Sequence, residues 1–106
     1  MLVAIACSSK DSPKGIIDQE KMVDIMIDIH LAEAAVQEMR LQKDSAAKVY
    51  AVQEKYIFKK HNVSDTVFLV SYNYYVEHPE QLELIYAAVI DTLSLRQVLL
   101  RESAGE

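Results

Sequence analysis

The side chains of this sequence that could do more than pack lie in two places: a polar cluster at Asp24, Asp28, His30 and Glu33, and a single thiol at Cys7. Carboxylates and an imidazole on one helix could hold a divalent cation or move a proton. At 100° per residue, however, Asp24 and Asp28 share one side, whereas His30 and Glu33 share another, roughly opposite Asp28. The spacings that build known centres are missing. Di-iron bundles need Glu-x-x-His on each of two helices, and zinc peptidases need His-Glu-x-x-His. His30, His61 and His78 lie in three different segments. The cluster is therefore expected to be solvated or hydrogen-bonded, without metal or cofactor, and a metal-binding or acid–base site on this helix is the alternative. Cys7 has no neighbouring histidine to activate it. Neither a glycine-rich phosphate loop nor a Gly-x-Ser-x-Gly elbow occurs, so the chain is not expected to be an enzyme.

Cys7 is instead notable for where it stands. The chain opens Met-Leu-Val-Ala-Ile-Ala-Cys and turns abruptly polar through Ser8, Ser9, Lys10, Asp11 and Ser12. An apolar run that meets a cysteine through a small residue, here Ala6, resembles the end of a bacterial lipoprotein signal. The resemblance implies cleavage before Cys7, a lipid such as a palmitate-bearing glyceride on its thiol, and a polar arm serving as tether. The pattern departs from that signal in having Ala4 where leucine is commonest, six residues before the cysteine and no basic segment. A start further upstream, with Met1 internal to the signal, is the expected repair. The division that follows is residues 1–6 as a signal remnant, 7–16 as a polar tether and 17–106 as the folded domain. The alternative is a cytosolic helical adaptor with an incidental thiol.

Composition narrows the rest. At 106 residues the chain is one domain long, and 51% hydrophobic with 25% charged residues is a balance that supports a packed core. A net charge of −5 is the wrong sign for a phosphate-backbone binder, and His61 to Leu95 contains no Lys or Arg. Nucleic acid is not an expected partner. Lys55, Lys59 and Lys60 are read as cations complementing a helix end. Two glycines and two prolines give few sharp turns, which disfavours a many-stranded sheet.

The elements that must position these side chains are helices. Asp18 is a good N-cap, with Ile17 poised to staple onto Met22. Met22, Ile25, Met26, Ile29, Ala32, Val36 and Met39 then form one apolar stripe, and Val23, Ile27, Leu31, Ala34 and Leu41 a second. This first helix is expected to end near Gln42. A second helix is predicted over Ser45 to His61, with Ala46, Val49, Tyr50, Tyr56 and Ile57 inward and Asn62 as a left-handed terminator. Ser64 caps a third, whose inner face is Phe68, Leu69, Tyr72, Tyr75 and Val76, read as core rather than as an aromatic ligand platform. Pro79 opens a fourth, with Leu82, Ile85, Tyr86, Val89, Ile90, Leu93 and Leu100 on one face. The fold class expected is all-α, a compact array of four helices with short connections.

The stretch KMVDIMIDIHLAEA from Lys21 to Ala34, the stretch YIFKKHNVS from Tyr56 to Ser64, and Tyr75 with His78-Pro79-Glu80 and Ile85-Tyr86 resemble an uncharacterised family. That family is a helical domain of unknown function carried by small Bacteroidetes lipoproteins, and the resemblance runs from about Ile16 to Leu93. It implies a lipid-bearing cysteine followed by a short polar tether, and it implies no activity.

The function expected is a lipid-anchored binding or structural module on the periplasmic side, in the outer membrane, attached through Cys7. Its apolar stripes are too many for four helices around one core. Leu84, Leu95 and Leu99 on the fourth helix are the expected interaction residues, for a protein partner or for self-association.

Overall fold

The computed structural model describes residues 12–105. Four helices follow one another: α1 (Gln19–Glu38), α2 (Lys43–Lys60), α3 (Asp65–Val76) and α4 (Pro79–Ser103). No strand occurs among the described residues. Cys7, the expected signal remnant and the first half of the expected tether lie outside them.

The fold begins before the first helix. Ile16 donates its N–H to the Pro13 carbonyl at 3.0 Å, closing a turn in which Gly15 sits at φ 86°. That position of the turn needs a left-handed residue, which glycine adopts without strain. Ile16 already packs against the core and Ile17 is buried within it, so the folded domain takes in the last residue expected of the tether. Asp18 caps α1 as its type predicts, its carboxylate accepting from the Lys21 N–H at 2.9 Å.

α1 is the central element, packed against both α2 and α4, while α3 packs on α4. It buries Met22, Ile25, Met26, Ala32 and Val36 from one stripe and Ile27 from the other. The helix stops at Glu38, four residues short of expectation. After Val36 the periodic residues Met39 and Leu41 find no core and stay exposed. Arg40 takes a left-handed φ of 53° and reverses the chain into α2, which therefore starts early, at Lys43.

α2 ends in a Schellman motif. Val63 donates to the Phe58 carbonyl at 3.0 Å and Asn62, at φ 61°, to that of Lys59 at 3.1 Å. These bonds satisfy two carbonyls that the helix end would orphan. Asn62 terminates the helix as expected. The Ser64 hydroxyl then accepts from the Val67 N–H at 3.0 Å, and Pro79 stands in the first turn of α4.

Several inward assignments do not hold. On α2 the buried residues are Ile57 and Phe58, while Tyr56 is 64% exposed. Ile57 and Phe58 join the core, Phe58 against Phe68 of α3, whereas Tyr56 stands at the edge of a shallow groove between α1 and α2. On α3 Tyr75 is fully buried, but Leu69 and Val76 are exposed because α3 meets only α4 in force. On α4 Ile85 and Val89 are core, whereas Ile90 and Leu100 are exposed. Every residue from Ser94 to Gly105 is exposed, since α4 runs past the helices that cover its first half.

Candidate binding cleft

The sequence-selected polar cluster divides into two unrelated contacts. Asp28 faces α2, where its Oδ2 accepts from His61 Nε2 at 2.7 Å and from Lys60 Nζ at 3.0 Å. Burial opposes the charge on this carboxyl, but the hydrogen bonds from His61 and Lys60 outweigh it and hold the group below the usual carboxylate range. This is a clamp between α1 and the end of α2. Lys60 thus does more than complement a helix terminus.

His30 and Glu33 point elsewhere. Their side chains approach to 3.4 Å between Nδ1 and Oε1 at the rim of a cleft of about 210 Å3. Asp24 is exposed. The three histidines are dispersed: His61 on Asp28, His30 on Glu33, and His78 donating through Nδ1 to the Tyr74 carbonyl at 2.7 Å. Among the described residues no group of three or more His, Cys, Asp or Glu side chains is placed to hold a metal ion.

All four helices build the cleft. α1 contributes Met26, Ile29, His30 and Glu33, spaced i, i+3, i+4, i+7 along one face. α2 contributes Tyr50 and Glu54, α3 Phe68 and Tyr72, each pair one turn apart, and α4 adds Tyr86. The Phe68 and Tyr72 rings lie near-parallel with centroids 6.1 Å apart, and Phe68 is steadied from beneath by Phe58 at 5.0 Å. Tyr72 and Tyr86 bond hydroxyl to hydroxyl at 3.2 Å, and the His30 ring lies 6.4 Å from that of Tyr86.

The electrostatics of this space are negative. Among the described residues neither lysine nor arginine lines it, while Glu33 and Glu54 both do. The bond to Tyr72, then burial, then the nearby Tyr72 and Glu33 push Tyr86 up to about 12. Burial raises Tyr50 too, reinforced by Glu54 and Glu33. Each shift opposes a further negative charge in the cleft.

Of these residues the sequence singled out His30 and Glu33, and it treated Phe68 and Tyr72 as core. It missed Tyr50, Glu54 and Tyr86 as site residues. The i, i+4 pairs of α2 and α3 were visible, but their convergence depends on the tertiary arrangement. The interaction residues expected on α4 lie away from the cleft: Leu84, Leu95 and Leu99 are 62%, 58% and 53% exposed. Among the described residues no helix is long and apolar enough to cross a membrane.

Residues 13–98 match a family described as a domain of unknown function (DUF4296). No curated protein and no solved structure shows a significant match to the chain.

Proposed function

The chain belongs to that family, and from this premise we propose that it is a lipid-anchored, non-catalytic binding module facing the periplasm from the outer membrane. The observation that carries the reading is Cys7 at the apolar-to-polar junction, just before a domain that presents a formed cleft. Five residues, Ser8 to Ser12, separate Cys7 from the Pro13 turn. Fully extended, the six steps from Cys7 to Pro13 reach at most about 22 Å, so an acylated Cys7 keeps the domain close to its membrane.

Binding rather than catalysis is supported by the chemistry of the cleft. Tyr72 and Tyr86 spend a hydroxyl bond on each other, and a phenol at about 12 is poorly matched to proton transfer near neutral pH. A second reading, docking of a protein through α4, is favoured by the exposed stripe of Leu84, Leu95 and Leu99.

The anchor is tested by feeding labelled fatty acid to cells of the native host. Wild-type protein takes up the label and sediments with membranes, because two or more acyl chains hold firmly where one is marginal. Cys7→Ser loses the label. Equal soluble fractions for the two proteins would overturn the anchor.

A further inference from the structure

We propose that the cleft between the four helices takes a small organic cation, an ammonium group on an apolar body. The inference rests on the binding reading above and names the ligand class of that same site. Its apolar part follows from the walls. Met26, Ile29, Tyr50, Phe68, Tyr72 and Tyr86 give the ligand hydrocarbon and ring surface on several sides. Ring faces carry negative quadrupole density, which attracts a cation and offers nothing to an anion.

The charged part follows from what stands among the rings. Glu33 reaches the space from α1 and Glu54 from α2, and among the described residues the one nitrogen base lining it is His30, next to Glu33. Both carboxylates line the cleft beside the Tyr50 ring. The field in the cleft therefore favours an ammonium over a neutral group of equal shape, and either over a carboxylate. Size limits the ligand further. A volume of about 210 Å3 is below the roughly 300–1,000 Å3 of sites for drug-sized molecules. A monocyclic aryl-alkyl amine or a short alkyl amine fits it.

Three probes of nearly equal shape separate the terms: benzylammonium, benzyl alcohol and benzoate, each titrated into the full chain by NMR or calorimetry. Benzylammonium is expected to bind about tenfold more tightly than benzyl alcohol, consistent with a partly desolvated cation among rings and carboxylates. Benzoate is expected to bind more weakly than either. Glu33→Gln with Glu54→Gln should abolish the preference, so that benzylammonium binds no more tightly than benzyl alcohol. Glu33 is half exposed, so the amide is tolerated there, and equal melting temperatures verify that the variant is folded. If the wild type binds alcohol and ammonium equally, the cation inference falls and the binding reading survives. If no probe shifts the resonances of Tyr50, Tyr72 or Tyr86, both the inference and the use of this cleft are overturned.

Discussion

The Tyr75 hydroxyl donates to the Ile17 carbonyl at 2.6 Å, across a sequence separation of 58 residues. One helical turn earlier on α3, the Ser71 hydroxyl accepts the Ile17 N–H at 2.9 Å. Both backbone groups of the residue that leads the chain into the domain are thus satisfied by side chains of α3. Tyr75 and Ser71 are each fully buried, so water cannot replace either bond. Through Ile17 the segment that enters α1 is fastened to the core by α3.

Tyr75→Phe tests the hydrogen bond apart from the ring. It leaves a buried carbonyl unpaired, and a loss of about 1–3 kcal/mol is expected in denaturant unfolding. Tyr75→Ala removes the ring as well and should cost roughly 3–5 kcal/mol. Equal stability of Tyr75→Phe and wild type would mean that the segment at Ile17 repacks without the bond.

The Asp28 clamp predicts an acid dependence. Asp28 is held below its ordinary value of 3.8 in the folded protein, so folding gains from its ionisation. That gain is complete above the unfolded value and drains away as pH falls through the folded one. Asp28→Asn should lose about 1 kcal/mol near neutral pH, a modest sum because Lys60 is half exposed. Below about pH 4 the wild type and the variant should converge in urea midpoint. Curves that stay parallel down to pH 2 would rule out this role for the carboxylate.

Tyr86 predicts the opposite limb. Its phenol is raised from 10.0 to about 12, so the folded state holds a proton that the unfolded chain releases. The associated stability is whole below about pH 10 and is lost as pH climbs towards 12. Of the six tyrosines, ultraviolet titration should show Tyr86 ionising last, with Tyr50 and Tyr75 also later than an exposed phenol because burial raises them. Tyr72→Phe removes the first cause of the shift and should bring Tyr86 back towards 10. An unchanged late step in that variant would place the late phenol elsewhere.

Local signals in the sequence were legible wherever one residue type decides the outcome. Asp18, Asn62, Ser64 and Pro79 each stand where their backbone chemistry placed them, and the family resemblance agrees with the DUF4296 match. What the sequence could not decide was which apolar stripe would find a partner. Tyr56 and Phe58 are two residues apart on one helix, and only the position of α1 and α3 makes Phe58 core and Tyr56 surface. The same holds for Arg40, whose left-handed turn depends on Met39 and Leu41 finding nothing to pack against. The cleft was half legible, because His30 and Glu33 were marked by their polarity within an apolar stretch. Tyr50, Glu54 and Tyr86 looked like ordinary amphipathic helix until three other helices converged on them.

The stripe on α4 gives the last prediction. Leu84, Leu95 and Leu99 fall within about 60° of one another around the helix axis, at 100° per residue. All three are more than half exposed, and α4 beyond Leu93 packs on no other described helix closely enough to bury a residue. Leu95→Glu with Leu99→Glu should therefore leave helicity intact and stability within about 0.5 kcal/mol per site, as for other surface changes. If the stripe joins two copies, two added carboxylates on each face would repel, and light scattering would register a fall in mass at unchanged circular dichroism. If the mass is the same before and after, copies do not pair through this stripe. Loss of the fold would instead show that α4 is covered along its C-terminal half, contrary to its exposure here. Ile85→Glu is the matched control: Ile85 is 1% exposed on the same helix, and its burial predicts unfolding where Leu95 and Leu99 predict none.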